Sequence, residues 1–190
     1  MIFYIMGKSA SGKDSVYKRL LSTDDSLNKV NVYTTRPKRE NENEGVEYHF
    51  IDEKFLNDNK NKIIEKRVYH TVFGDWYYAT LDDGCIKDNK NYIMIGTLES
   101  YESLKKYYGE DKVYPIFLEV DNEERKKRAL ERENSDDKKS IEEVKRRFEA
   151  DEVDFSEENI KRANIIKRYK NNDFESCMKE IMNDINNIGK

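Results

Sequence analysis

The stretch that decides the fold opens the chain and reads Met1-Ile-Phe-Tyr-Ile-Met6-Gly7-Lys-Ser-Ala-Ser-Gly12-Lys13-Asp14-Ser15. Its first six residues form an apolar run of strand length, and apolar side chains recur at helical spacing after it, at Val16, Leu20 and Leu21. Glycines at both ends of the intervening loop allow a tight turn, so that successive N–H groups point into one concavity at the positive end of a helix. The stretch therefore predicts a strand, a phosphate-binding loop and a helix.

The spacing of Gly7, Gly12 and Lys13 is that of a P-loop, whose lysine reaches the β and γ phosphates of a nucleotide. The motif has a serine or threonine directly after the lysine as a Mg²⁺ ligand, whereas this chain has Asp14. Because a carboxylate is also a hard oxygen ligand, we expect Asp14 to hold Mg²⁺, with Ser15 as a substitute hydroxyl. The alternative is a glycine-containing turn without a ligand. The residues expected to bind the polyphosphate are Gly7, Ser9, Ala10, Ser11, Gly12, Lys13, Asp14 and Ser15.

Composition excludes several classes of protein. The chain has 190 residues, 39% of them charged, and a net charge of only −4, so its length fits one domain and its charge gives no bias toward nucleic acid or membrane. The opening apolar run is shorter than the ~20 residues of a membrane span, and no cleavage-site pattern follows it. Cys85 and Cys177 match no metal spacing and suit a reducing cytoplasm. We expect a cytoplasmic protein without nucleic-acid or membrane partners; its oligomeric state stays open.

The pattern along the chain predicts an α/β fold. Apolar runs at 30–33, 92–95, 113–120 and 163–166 have strand composition. They alternate with helical patterns, among them a helix with a connecting loop at 82–90, a helix at 98–108, two polar helices within 121–149, and a last helix near 174–185. Such alternation indicates a central parallel sheet with helices on both faces. Residues 48–51, 63–69 and 74–80 suggest a small antiparallel sheet. In a parallel sheet the ligand binds at the carboxyl ends of the strands, where Gly7, Thr34, Gly96 and Asp121 are expected.

A second stretch, Thr34-Thr-Arg36-Pro-Lys-Arg39-Glu-Asn-Glu42-Asn-Glu-Gly45-Val-Glu-Tyr48-His-Phe50, resembles the guanylate kinase family, with Asn41 in place of a family glycine. Residues 74–80 are similar to the family's Gly-Asn-x-Tyr-Gly-Ser/Thr segment, with Asp75 and Ala79 as departures. Residues 128–152 resemble the family's lid and carry Arg132 and Arg147. The likeness covers almost the whole chain in family order.

The resemblance implies a three-layer P-loop nucleoside monophosphate kinase fold with a small antiparallel GMP-binding subdomain and a helical lid. The single domain over 1–190 would divide into a core (1–33, 81–124 and 155–190), a GMP-binding subdomain (about 34–80) and a lid (about 125–154). It further implies phosphorylation of GMP or dGMP by ATP with Mg²⁺. The catalytic residues would be Lys13, Arg36, Arg132 and Arg147, and the GMP-binding residues Arg36, Arg39, Tyr48, Glu65, Tyr78, Thr80 and Thr97. Paired arginines suit this role because their forked donors hold a phosphate dianion bidentately.

Recognition of the base leaves alternatives open. Glu65 is the candidate for the family's guanine-binding glutamate, but it lies nine residues before Gly74, farther than in the family, and Thr97 stands where the family has an aspartate. A kinase for another nucleoside monophosphate and a non-catalytic guanylate-kinase-like interaction module are therefore alternatives. For Arg36 and Arg39 the alternative is a solvated basic turn. For the two lid arginines it is a salt-bridged helix surface.

Overall fold

The computed structural model describes residues 1–71, 74–133 and 138–189. The strands are β1 (Ile2–Gly7), β2 (Leu27–Lys29), β3 (Val32–Thr34), β4 (Tyr48–Phe50), β5 (Ile63–Thr71), β6 (Gly74–Leu81), β7 (Asn91–Ile95), β8 (Val113–Glu119) and β9 (Arg168–Lys170). The α-helices are α1 (Lys13–Thr23), α2 (Glu53–Asp58), α3 (Leu98–Tyr108), α4 (Asn122–Glu133), α5 (Lys138–Asp154), α6 (Glu157–Arg162) and α7 (Phe174–Ile188). Among these described helices, not one has the length and apolar content needed to cross a membrane.

The central sheet is parallel and has the strand order β2-β7-β1-β8-β9. Every residue of β1 is buried, because successive side chains of this central strand point to opposite faces that are both covered. Tyr4 packs with Tyr101 of α3 and Ile160 of α6, whereas Ile5 packs with Val16 of α1 and Ile181 of α7. The predicted α/β fold, a parallel sheet between two helical layers, is confirmed.

The second sheet has the order β4-β3-β6-β5 and is mixed, which differs from the antiparallel sheet that we expected. β5 and β6 form an antiparallel hairpin, and β3 pairs antiparallel with β6, but β3 and β4 are parallel. Two parallel strands need a connection of about a dozen residues or more, because the chain must return to the end of the sheet where the first strand began. The long segment between β3 and β4 provides this connection.

Three local expectations were wrong. Residues 82–90, where we expected a helix and a connecting loop, form an irregular loop without the helix, because Asp83 accepts a hydrogen bond from the Cys85 N–H and Gly84 adopts φ +74°, a conformation that ends regular structure. Residues 163–166 follow α6 and include Asn164 at φ +58°, so the last strand is β9 instead. The strand expected at 30–33 is not part of the central sheet: β2 ends at Lys29, residues 30 and 31 connect the two sheets, and β3 begins at Val32, so Thr34 lies in the second sheet.

Candidate active site

The loop between β1 and α1 has the geometry expected of a P-loop. Gly12 adopts φ +89°, and a Cβ there would collide with the side-chain amide of Asn171. At Gly7 a Cβ would stand 2.5 Å from the carbonyl oxygen of Leu118 on the neighbouring strand. Both positions therefore require glycine. The Lys13 ammonium donates to the carbonyl oxygens of Gly7 (2.7 Å) and Lys8 (3.1 Å), so its charge lies over the loop.

Distant parts of the chain hold the P-loop in shape. The buried Asn171 donates its side-chain amide to the Ser11 carbonyl at 2.8 Å. The Ser9 N–H donates to Oδ2 of Asp151 at 2.7 Å, and the Ser9 carbonyl accepts from Nε of Arg125 at 2.9 Å. The Ser9 N–H is therefore already bonded to Asp151. Of the loop amides that the sequence suggests as phosphate donors, this one would have to leave its carboxylate partner before it could bind a phosphate.

A cavity of about 430 Å³ lies at the start of α1 and brings together most of the residues expected to bind polyphosphate. It is lined by Ser9, Ala10, Gly12, Lys13, Asp14, Ser15, Arg128 and Arg147. Arg147 of α5, one of the two arginines expected in the lid, thus lines the same cavity as the loop residues. Arg132 belongs to α4, but its side chain lies outside the described residues. Sequence reasoning did not single out Arg128, although it precedes Arg132 by one helical turn and so lies on the same side of α4.

A larger cleft of about 780 Å³ runs from the P-loop lysine to the second sheet. One wall contains Lys13, Asp14 and Tyr17 at the start of α1. The opposite wall is the face of the second sheet, with Tyr48, Arg67, Tyr69, Trp76 and Tyr78, and the carboxyl end of β7 contributes Ile95, Gly96 and Thr97. The cleft therefore joins the P-loop to the sheet that carries the other predicted site residues.

Arg36 is buried behind this wall, with 5% of its surface exposed. Its two terminal nitrogens donate to the carboxylate of Glu42 at 3.0 and 2.7 Å, and Nε donates to the Tyr78 hydroxyl at 3.1 Å. The guanidinium also lies 5.4 Å from the ring centre of Tyr48. These contacts give Arg36 one fixed orientation, and the hydrogen bond from Arg36 lowers the pKa of Glu42. The alternative of a solvated turn does not describe Arg36.

Arg39 behaves differently from Arg36. Its side chain is exposed and is not among the residues that line the cleft. The backbone N–H of Arg39 donates to Oε2 of Glu42 at 2.8 Å. Glu42 therefore accepts hydrogen bonds from the side chain of Arg36 and from the backbone of Arg39. The structure therefore brings Arg36, Tyr48 and Tyr78 together and leaves the Arg39 side chain in solvent.

Glu65 is buried, with 7% of its surface exposed, and is not among the residues that line the cleft, although its neighbour Arg67 is. Oε1 accepts from the Thr80 hydroxyl at 2.9 Å, and Oε2 accepts from the Ser100 hydroxyl at 3.1 Å. Glu65 stands directly opposite Thr80 in the β5–β6 register, and the hairpin continues to the pair of Thr71 and Gly74. The long interval between Glu65 and Gly74 therefore corresponds to a long β5–β6 hairpin, and Glu65 stays beside Thr80.

Two residues beside Glu65 were missed by sequence reasoning. Arg67 lies two positions further along β5, and this spacing signals the same face of the strand. Ser100 lies in the first turn of α3, and only the packing of α3 against β5 brings it to Glu65. Thr97 lines the cleft, but its hydroxyl caps α3 by accepting from the Ser100 N–H at 3.3 Å. Ser100, rather than Thr97, is the hydroxyl that contacts Glu65.

Known proteins resemble this chain over most of its length. The family model for guanylate kinase matches residues 2–187. A guanylate kinase of Porphyromonas gingivalis is 32% identical over 189 residues, which cover 95% of this chain and 93% of that protein. A guanylate kinase of Helicobacter hepaticus is 30% identical over 145 residues, covering 74% of this chain and 70% of the relative. The crystal structure of guanylate kinase from Anaplasma phagocytophilum matches 98% of this chain and 84% of its own, with a TM-score of 0.64 and 21% identity, and so shares the fold.

Proposed function

Because this chain belongs to the guanylate kinase family, we propose that it transfers the γ-phosphoryl group of ATP to GMP or dGMP, giving ADP and GDP or dGDP. The single observation that carries the proposal is the cleft that runs from Lys13 to the second sheet. Phosphoryl transfer requires two anionic substrates to be aligned and their charge neutralised, and little covalent chemistry from the protein. A continuous cleft with a P-loop at one end suits that requirement.

We assign the acceptor phosphate to Arg36, Tyr48 and Tyr78. The Arg36 guanidinium is held against Tyr78, and Tyr48 packs edge-on against Tyr78 with ring centres 5.7 Å apart. Burial raises the pKa of the Tyr48 hydroxyl, which keeps it protonated as a donor to phosphate. A monophosphate entering here would compete with Glu42 for Arg36, and Arg39 would have to turn inward from solvent to join it.

The base is assigned to the pocket around Glu65. An ionised carboxylate accepts from the N1–H and 2-amino group of guanine, whereas adenine presents an acceptor at N1, so one carboxylate discriminates strongly between the two purines. The hydroxyls of Thr80 and Ser100 already hold both oxygens of Glu65 in a fixed orientation. Thr97 at the edge of the cleft offers a further hydroxyl.

ATP is assigned to the cavity at the start of α1. Its phosphates would meet the loop from Gly7 to Ser15, and the Lys13 ammonium would exchange loop carbonyls for β and γ phosphate oxygens. Asp14 and Ser15 line the cavity with a carboxylate and a hydroxyl, which is a hard-oxygen donor set that fits Mg²⁺. When bound there, Mg²⁺ would neutralise charge on the transferring phosphate oxygens.

The proposal includes the division into a core (1–33, 81–124 and 155–190), a GMP-binding subdomain (about 34–80) and a lid (about 125–154). Arg132 and Arg147 would close over the polyphosphate with the lid and exclude water that would otherwise hydrolyse ATP. Cys85 and Cys177 are free thiols, which suits the cytoplasmic location that we propose.

A coupled ADP-release assay tests the proposal with GMP, dGMP, AMP, CMP and UMP as acceptors. We expect turnover with the guanine nucleotides only. Lys13→Met is expected to lower kcat at least about a hundredfold, because it removes a charge that neutralises the transferring phosphate. Lys106→Met, at an exposed position of α3, is the matched control and should leave kcat unchanged. Equal turnover of a non-guanine acceptor would favour another nucleoside monophosphate kinase, and no ADP release with any acceptor would favour the interaction module.

A further inference from the structure

Arg67 is a charged residue inside the cleft to which the proposed mechanism assigns no role. Its side chain is 15% exposed and lines the cleft from the middle of β5. In the hairpin register Arg67 stands opposite Tyr78, and Glu65 stands opposite Thr80. Arg67 therefore lies between the residues assigned to the phosphate and those assigned to the base.

The guanidinium of Arg67 is turned toward the base pocket. Nε lies 3.2 Å from Oε2 of Glu65, and Nη2 lies 3.5 Å from Oε1. The two groups form a buried ion pair, and the Glu65 carboxylate helps to raise the pKa of Arg67 against the effect of burial. Its hydrogen-bond geometry is poor, because Nε has no well-directed hydrogen bond to any described residue and 3.5 Å is long for such a bond. Each oxygen of Glu65 thus has one good hydroxyl donor and one poorly placed guanidinium nitrogen.

The chemistry of this pair matches one edge of guanine. The N1–H and the 2-amino group of guanine are two adjacent hydrogen-bond donors on one edge of the base. Two neighbouring nitrogens of a guanidinium form a similar pair of adjacent donors. Guanine bound to Glu65 would replace the poorly directed contacts of Arg67 with direct hydrogen bonds. Displaced from Glu65, the arginine fork would find the two adjacent acceptors O6 and N7 on the next edge of the base, a bidentate pairing that arginine makes readily.

We propose that Arg67 is a specificity-determining residue, which occupies Glu65 in place of the guanine edge and then binds O6 and N7 once guanine arrives. The inference rests on the proposed function, since it takes the same base pocket. The Arg67 side chain borders the open cleft and reaches Gly96 at the carboxyl end of β7, where Nη1 would lie 3.7 Å from an added Cβ. Adenine is rejected twice in this arrangement, because its N1 faces the Glu65 carboxylate and its 6-amino donor faces the donors of Arg67.

Binding titrations without ATP test the inference with three probes: GMP, 7-deaza-GMP and IMP. The first analogue lacks the N7 acceptor, and IMP lacks the 2-amino donor that Glu65 would bind. We expect the wild-type protein to bind GMP about tenfold more tightly than 7-deaza-GMP. In Arg67→Leu the ratio of these two Kd values should fall to about one, while the preference for GMP over IMP persists because Glu65 remains. Lys66→Leu is the matched control, since Lys66 is exposed on the same strand with its ammonium over the Tyr77 ring, and it should keep the wild-type ratios.

Several results would overturn the inference. If the wild-type protein binds 7-deaza-GMP as tightly as GMP, N7 is not contacted, and this result stands without any variant. An Arg67→Leu protein that keeps the ratio, or that loses affinity for all three probes equally, would make Arg67 a structural or phosphate-binding residue. If Arg67→Leu does not fold, Arg67→Gln keeps a donor for Glu65 and should still reduce the ratio. Binding of the expected pattern without ADP release would contradict the proposed function alone, and binding of no probe would contradict both.

Discussion

Among individual side chains, Glu42 sets the geometry of the proposed phosphate site. It accepts two hydrogen bonds from Arg36 and one from the Arg39 N–H, and the bonds from Arg36 are the main reason that its pKa is lowered. A carboxyl with a lowered folded-state pKa stabilises the protein above its unfolded-state pKa, and this contribution disappears as the pH falls through the lower folded-state value.

Glu42→Gln should therefore lower the free energy of unfolding at neutral pH and reduce the loss of stability on acidification below about pH 4. Urea unfolding of both proteins at pH 7 and at about pH 3.5 measures the two effects. Glu40→Gln is the control, because Glu40 is exposed in the same loop, and its pH dependence should match that of the wild type. A Glu42→Gln protein with an unchanged pH dependence would contradict this account.

Arg36 and Arg39 should differ in their response to a conservative change. Arg36→Lys keeps the charge but cannot contact Glu42 and Tyr78 together, because lysine lacks the planar fork. We expect the KM for GMP to rise about tenfold, with the KM for ATP unchanged. Arg39→Lys should have a smaller effect, since its side chain is exposed. Steady-state kinetics with each substrate varied in turn would show this, and equal effects of both changes would refute the distinction.

The sequence predicted those site residues that lie within one local motif. Lys13 follows Gly12 directly, and Arg36 is placed by the short segment after β3, so covalent spacing suffices to locate them. Ser100 was missed because its contact with Glu65 depends on how α3 packs against β5. Arg67 was visible in the sequence, but its inward direction follows from strand register, which the uncertain length of the hairpin left undefined.

Of the secondary-structure elements, α4 and α5 are attached to the P-loop by one buried ion pair. Arg125 is 1% exposed, and it donates to Oδ2 of Asp151 at 2.9 Å and to the Ser9 carbonyl. Burial lowers the pKa of Arg125 despite its acidic neighbours, which indicates a substantial desolvation cost. Loss of one partner from such a pair leaves the other charge buried and uncompensated.

Arg125→Met should lower the free energy of unfolding by about 3 kcal/mol and weaken ATP binding, because the Ser9 carbonyl loses its donor. Arg162→Met is the matched control, since Arg162 is exposed and its ion pair with Glu102 is screened by water, so its loss should change stability little. Urea unfolding and ATP titration measure both quantities. Equal stability losses in the two variants would show that burial of the pair is unimportant.

Helices and strands with strong apolar periodicity were predicted well, and segments fixed by turn chemistry were not. The helix at Leu98–Tyr108 has the predicted bounds, because apolar positions recur on one face and Thr97 and Gly109 mark its ends. The turns at 82–90 depend on local hydrogen bonds to Asp83, which compete with helix formation. The parallel pairing of β3 and β4 depends on the path of a long connecting loop, for which the sequence carries no periodic signal.

For the protein overall, the position of the cations suggests that two ligands together close the cleft. Lys13, Arg128 and Arg147 lie around the P-loop cavity, whereas Arg36 follows β3 of the second sheet and contacts Tyr78, which lines the larger cleft. In the proposed complex the phosphates of ATP would contact mainly the first group, and the phosphate of GMP would contact Arg36. ATP and GMP bound together place phosphates from both sides in line, so that attraction from each group acts across the cleft.

We therefore expect the second sheet and α5 to approach each other only when both substrates are bound. Spin labels at Asn43→Cys and Lys145→Cys, with Cys85→Ser and Cys177→Ala to remove the native thiols, would report this distance by pulsed electron resonance. The distance should shorten with GMP plus a non-hydrolysable ATP analogue, and change little with either alone. A control pair at Lys106→Cys and Lys179→Cys, on exposed positions of α3 and α7, should not respond. If one ligand alone shortens the distance fully, closure of the cleft does not require both substrates. Closure by ATP alone would then leave the proposed lid without a role in preventing ATP hydrolysis before GMP binds.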